Sequence, residues 1–252
     1  MYRLNNFMEH NRIHEYRALG LSKLEKARRE YEREIADMTR EFGEFHFVPL
    51  DLYRTFRDLL DELREFTKSK EIRRRIRDHI EATAGTDHQY YISSNMNVAM
   101  SHANLGEWRE AQRLQEDILM RTESTYGAQS SVVTSIKNDL ATTYWDQGRW
   151  KQAEELRVQV IETRKRVLGQ EHPDTLSSMN GLAMTYNGQG LCKEAEGLLL
   201  EVIETRKRVL GQEHPDTISS MDNLASIYSH QGRWKEAEEL KIQVVETRKR
   251  VF

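Results

Sequence analysis

The stretch "VIETRKRVLGQEHPDT", residues 160–175, decides the fold, because the same residues return unchanged at 202–217. Most of the phrase comes back once more as "VVETRKRVF" at 244–252. Glycines at 43, 85, 127, 169 and 211 mark the same step of 42 residues. The chain from Gly85 onward therefore divides into blocks 85–126, 127–168, 169–210 and 211–252, and the last two agree at 27 of 42 positions. A fixed period of this size predicts a repeat array. A unit this short cannot cover its own apolar faces, and identical units stack through identical interfaces.

Each block reads as two helices. In the block from Gly169, Pro173 suits the first turn, where its missing N–H costs nothing, and Asp174 faces the positive end of the helix. "PDTLSSMNGLAMTYN" places Leu176, Met179, Leu182, Ala183 and Tyr186 on one stripe. "GQG" at 188–190 breaks it, and "CKEAEGLLLEVIETRKRVL" opens a second helix with Ala195, Leu198, Leu199 and Val202 at helical spacing. Ala99, Ala141, Ala183 and Ala225 share one place in the first helix; Ala111, Ala153, Ala195 and Ala237 share one in the second. A missing side chain there lets helices cross closely. The recurrent Tyr144, Tyr186 and Tyr228, then Trp108, Trp150 and Trp234, flank those places.

Composition excludes several functions. With a formal charge of −3 and a pI near 6.3, the chain lacks the basic excess of a general nucleic-acid binder. Its single cysteine, Cys192, allows no intrachain disulfide and fits a reducing compartment, so a cytoplasmic location is expected. No apolar run reaches 18 residues, and "MYRLNNFMEHNR" lacks the apolar core of a signal peptide. Neither HExxH, paired cysteines, GxSxG nor GxxxxGK[ST] occurs, so no metal, cofactor or catalytic residue is expected. "HPD" at 172–174 and 214–216 falls at a repeat linker and reads as a helix start. Cys192, standing where the other blocks have tryptophan, reads as a small hydrophobe. "TRKR" at 163–166, 205–208 and 247–250 is the one basic signal that repeats; it is either a ridge for an acidic partner or a set of cations favoured at helix C-termini.

The blocks resemble the tetratricopeptide repeat, in the 42-residue form of kinesin light chains found also in filamentous fungi. "LATTY" at 140–144, "LAMTY" at 182–186, "LASIY" at 224–228, "GRWKQAEEL" from 148, "GRWKEAEEL" from 232 and the linker "LGQEHPDT" carry the resemblance. It implies an all-α, right-handed α-solenoid of helix pairs: a non-catalytic scaffold that binds a protein or peptide segment in a concave groove, without cofactor, nucleic acid or membrane. It also implies that first helices line the groove. By register the groove candidates are Ser93 and Met96, then Ser135, Asn138 and Thr142, then Ser177, Asn180 and Met184, and last Ser219, Asp222 and Ser226. An amide at 138 or 180 both donates and accepts, as a peptide backbone requires. The alternative is a structural or oligomerising fragment with an unused groove, or an accessory subunit.

Residues 43–84 read as a degenerate repeat, with "EIRRRIRDHIEATAG" at 71–85 lying over "ELRVQVIETRKRVLG" at 155–169 and Pro49 and Asp51 opening its first helix. Residues 1–42 read as an amphipathic helical region, a cap or a coiled-coil strand. Its stripe is Leu21, Leu24, Tyr31, Ile35, Met38 and Phe42, continued at Phe45 and interrupted by Arg28. At the other end, some of Leu224, Ile227, Tyr228 and Leu240 are expected to lie on an exposed apolar face that favours self-association.

Overall fold

A computed structural model of the chain describes residues 21–43, 53, 56–61, 63–86 and 89–251. The regular structure of the described residues is α-helical, with no strand among them. They belong to two compact units, Met1–Leu114 and Gln115–Phe252.

In the first unit, α1 (Leu21–Phe42), a helical turn at 56–61 and α2 (Phe66–Ala84) share one core. Leu24, Ala27, Tyr31 and Ile35 of α1 meet Phe56, Leu59 and Leu60 of the turn and Ile72 and Ile76 of α2. The Tyr31 and Phe56 rings stack with centroids 6.3 Å apart. The amphipathic stripe of α1 therefore packs on its own chain. Arg28, which breaks the stripe, donates from Nη1 to Glu65 Oε1 at 2.8 Å. The proposed helix opening at Pro49 and Asp51, and Phe45, lie outside the described residues. Helix α3 (Gln89–Asn104) follows and packs on α2. Helix α4 (Trp108–Tyr126) begins in the first unit and ends in the second.

The second unit is a succession of helix pairs: α5 (Ser131–Asp146) with α6 (Trp150–Leu168), α7 (Pro173–Gly188) with α8 (Cys192–Val209), and α9 (Pro215–His230) with α10 (Trp234–Val251). Each second helix also packs on the next first helix, α6 on α7 and α8 on α9. The repeated phrase builds these junctions. His172 and His214 are N-caps, whose Nδ1 atoms accept the amide N–H of Asp174 and Asp216 at 3.1 and 3.2 Å. Pro173 and Pro215 then occupy the first turn. Thr175 and Thr217 donate back to the carbonyls of Gly169 and Gly211, both at 2.9 Å. "HPD" is thus a helix start, with the histidine as a cap that sequence reading did not assign. Within a pair, the turn closes at a glycine in the left-handed region: Gly190, at φ 81°, lets the Leu191 N–H reach the Tyr186 carbonyl at 2.9 Å.

The alanines are buried as expected: Ala99, Ala111, Ala141, Ala153, Ala183, Ala195 and Ala225 are 0% exposed and Ala237 3%. The flanking aromatics pack beside these places but are not deeply buried. Tyr144, Tyr186 and Tyr228 are half-buried, and Trp108, Trp150 and Trp234 are exposed by 41, 39 and 69%. Each tryptophan begins a second helix, at the edge of the stack. The core is aliphatic instead. Leu199 and Ile227 are 0% exposed and Leu176 1%; Leu199 and Ile227 sit with Ile203, Ile218, Met221, Leu224 and Val244 around Ala183 and Ala195.

The expectation for the last repeat also needs correcting. Leu224 and Ile227 are buried, and Tyr228 and Leu240 are half-buried against the α7–α10 core. The residues on the outer face of α10 are Trp234, Ile242 and Val245, exposed by 69, 52 and 48%, beside Lys241 and Lys249. One repeat earlier, Leu199 and Ile203 stand at the places of Lys241 and Val245 and are covered.

Candidate functional site

First helices lie beside one another in the second unit. The Trp145 Nε1–H of α5 donates to the Met184 carbonyl of α7 at 3.4 Å. Asn180 Oδ1 of α7 accepts from Ser220 Oγ at 3.1 Å and from Asn223 Nδ2 at 3.3 Å, both on α9. Ser135, Ser177 and Ser219 are exposed at one register of these three helices. Asn138, Asn180 and Asp222 stand one turn further on and are half-buried; Thr142 is exposed, and Met184 and Ser226 are half-buried. Ser93, Met96 and Met100 belong to α3 in the first unit, where Ser93 is exposed, Met96 half-buried and Met100 46% exposed.

The candidates differ in how far they are engaged. Asn180 is a clasp between repeats, since its carbonyl oxygen already holds two donors of α9. Asp222 Oδ2 lies 3.4 Å from Arg248 Nη2, and Ser177 Oγ accepts from Arg206 Nη2 at 2.9 Å. Thr142 donates to the Asn138 carbonyl at 3.2 Å and accepts from Arg157 Nη2 at 3.3 Å. Among the described residues, the Asn138 amide carries no bond to another first helix.

The first arginine of the first two "TRKR" copies turns inward rather than forming a ridge, while Arg248 of the third is exposed. Arg164 Nη1 donates to the Asp174 carbonyl at 2.8 Å and to Ser178 Oγ at 2.7 Å. Arg206 repeats this with the Asp216 carbonyl and Ser220 Oγ, both at 2.7 Å. It is 3% exposed, and burial pulls its pKa down. These guanidiniums fasten a second helix to the N-terminal turn of the next first helix. The last arginine of the second and third copies pairs outward: Arg208 with Glu171 at 2.7 Å and Arg250 with Glu213 at 2.5 Å. Exposed pairs of this kind hold little energy. Arg149 and Arg233 lie over the Tyr144 and Tyr228 rings at 4.4 and 4.0 Å from the centroids. Burial and a hydrogen bond to Glu116 push the Tyr144 hydroxyl up to about 12.

One residue on this face escaped sequence reading. Arg157, on α6, is 7% exposed and reaches Thr142 of α5 while its Nη1 lies over Gly181 of α7. A Cβ at Gly181 would meet that Nη1 at 1.9 Å. Burial lowers the guanidinium pKa to about 10, so it is cationic at neutral pH. The available signal was Gly181 itself: a mid-helix glycine costs about 1 kcal/mol relative to alanine and marks a close approach. The other first helices carry Asn97, Asp139 and Asn223 at its register.

Among the described residues no group of three or more His, Cys, Asp or Glu side chains is arranged to hold a metal, and no helix is long and apolar enough to cross a membrane. Cys192 is half-buried, with Sγ 3.7 Å from Asn187 Oδ1. His102 lies 2.5 Å from Glu107, a contact that ties the end of α3 to the turn before α4.

A succession of helix pairs, each buried by its neighbours and joined by capped glycine turns, defines an α-helical repeat protein. Tetratricopeptide-repeat family models match residues 93–131, 132–208 and 180–250, and the chain belongs to the tetratricopeptide repeat family. This repeat is a protein–protein interaction scaffold. Among solved structures, the putative kinesin light chain of Podosopora anserina with nearly identical TPR-like repeats is similar at 25% identity, covering 81% of this chain and 97% of that one with a TM-score of 0.65. A singly substituted variant of that protein aligns at 26% identity over 79% and 92%, again with a TM-score of 0.65. BtubC (BKLC) from P. vanneervenii, 19% identical over 89% and 91% with a TM-score of 0.70, shares the fold. No curated protein gives a significant match.

Proposed function

We propose that the chain is a non-catalytic scaffold that holds an extended segment of a partner protein along its first helices, the concave face in this family. The observation that carries the reading is the row Ser135, Ser177 and Ser219, exposed on three adjacent helices at one register, with Asn138 one turn behind and, among the described residues, free of any bond to a neighbouring first helix. A row of short polar side chains on a rigid stack leaves room for a backbone and supplies hydrogen bonds to it. The engagement of Asn180 with α9 assigns it a double role, so Asn138 is the cleaner probe.

Asn138→Ala is expected to weaken binding of a recovered partner segment by about 1–3 kcal/mol, the range for a desolvated hydrogen bond, with little change in unfolding midpoint. Asn180→Ala should weaken binding and also lower stability, because Ser220 and Asn223 lose their acceptor. Calorimetry on the segment, with denaturant unfolding of each variant, separates the two effects. Unchanged affinity in Asn138→Ala would remove the amide from the binding surface.

A further inference from the structure

The repeat at 127–168 departs from its successors at one corner, where the loop before α5 meets the last turns of α6. In the two later repeats this corner is closed. Arg208 pairs with Glu171 and Arg250 with Glu213, and the neighbouring core holds Leu176 and Met179, then Ile218 and Met221, all buried. The places of Glu171, Leu176 and Met179 carry Gln129, Thr134 and Lys137 in the earlier repeat. Arg166 stands where Arg208 and Arg250 stand, is exposed, and has no acid partner among the described residues.

A polar cavity of about 220 Å³ occupies this corner, and its lining includes Gln129, Thr134, Lys137, Gln159, Glu162 and Arg166. Thr134 is smaller than the leucine or isoleucine of the later repeats, and its hydroxyl donates to the Ser130 carbonyl at 2.8 Å. Lys137 is the informative residue. A lysine in the place of a core methionine destabilises a fold unless its charge is met. Glu123 meets it from one side at 2.8 Å, and Gln159 Oε1 accepts from its Nζ at 3.3 Å. An ammonium has three donors, so one remains. The corner thus lacks one carboxylate relative to the later repeats, and two cations edge the space left open. Lys137 also stands a little over half a helical turn beyond Ser135, away from the row of exposed serines.

We infer that this corner binds a small oxyanion: a free phosphate or carboxylate group that bridges Lys137 and Arg166, in the place of the carboxylate that Glu171 and Glu213 supply in the later repeats. The inference does not rest on the segment-binding reading, since the cavity lies off the first-helix row. An oxyanion accepts charge-assisted hydrogen bonds from both cations, and the amides of Gln129 and Gln159 add neutral donors. Glu162 also lines the cavity and opposes an anion, which keeps the binding reversible.

The test titrates the full chain at neutral pH with inorganic phosphate, with succinate and with chloride at matched ionic strength. The Gln159 side-chain amide and the Thr163 backbone amide are followed by NMR. Phosphate or succinate should give a saturable shift at both signals and chloride should not; the tighter of the two identifies the group recognised. Three variants carry the assignment. Gln129→Glu supplies the carboxylate of the later repeats, Lys137→Met supplies their methionine, and Arg166→Gln removes the second cation. Each should lose about tenfold or more in affinity, as removal of a charge-assisted hydrogen bond or blockage by a built-in carboxylate implies. The melting temperature of Gln129→Glu without added anion should hold or rise, because the later repeats fold with a glutamate there. Asn138→Ala should bind the anion as the parent does, since its side chain lies outside the cavity. Gln129→Glu and Arg166→Gln, both at exposed positions, decide the matter if Lys137→Met does not fold. No saturable shift with either oxyanion, an equal response to chloride, or unchanged affinity in folded Gln129→Glu and Arg166→Gln would overturn the inference.

Discussion

Leu199→Ala is expected to lose about 2–5 kcal/mol of stability, the range for emptying a leucine site in a packed core. Leu199 is 0% exposed and sits where one helix pair meets the next, among Ala183, Ile203, Ile218, Met221 and Leu224. A cavity there is lined by both repeats. In a stacked array each interface contributes separately to stability, so the loss falls on the junction between α8 and α9. Denaturant unfolding should show a lower midpoint, and hydrogen exchange should show α9 and α10 opening first. A loss below about 1 kcal/mol would mean that the site collapses around the smaller side chain or that the junction is not a cooperative part of the fold.

Arg206→Ala is expected to cost about 2–4 kcal/mol, because several charge-assisted hydrogen bonds disappear and buried acceptors are left unmet. The Asp216 carbonyl and the Ser220 and Ser177 hydroxyls all receive this guanidinium. Arg248 occupies the same letter of the repeated phrase but is exposed and has Asp222 Oδ2 at 3.4 Å as its partner. Arg248→Ala should therefore stay within about 0.5 kcal/mol of the parent. Unfolding measured on both variants separates an interior fastening role from a surface one. Equal losses in the two would contradict the assignment of "TRKR" to the junctions between repeats.

The period was legible because its punctuation is chemical. The glycines at 148, 190 and 232 take left-handed φ values at the turns, and the histidine–proline pairs start helices. The buried alanines were legible for the same reason: a residue that recurs as alanine leaves space that a neighbouring helix uses. The depth of the tryptophans was not legible, because residue type indicates apolar character but not depth, and a large ring at the first position of a helix lies at the rim of a stack. Arg157 could not be read from its own helix. Its meaning depends on Gly181, 24 positions away, and on a hydroxyl of a third helix. The inward arginines of "TRKR" were hidden in the same way, since their acceptors are carbonyls and serines of the next repeat. The serines of the first helices share one register in the sequence. Sequence alone did not distinguish Asn180, which clasps α9, from Asn138, which does not.

The central claim is that partners lie along the first helices. The most direct measurement places a photocrosslinking p-benzoylphenylalanine at Ser135, Ser177 or Ser219, and, as the opposing set, at Glu155, Gly197 or Glu239, which are exposed on the second helices. Crosslinking to a recovered partner segment is then read by mass spectrometry. Adducts from the first-helix positions, ordered along one extended stretch of the segment, with none from the second-helix positions, are the result this account predicts. Adducts confined to Glu155, Gly197 and Glu239 would contradict it.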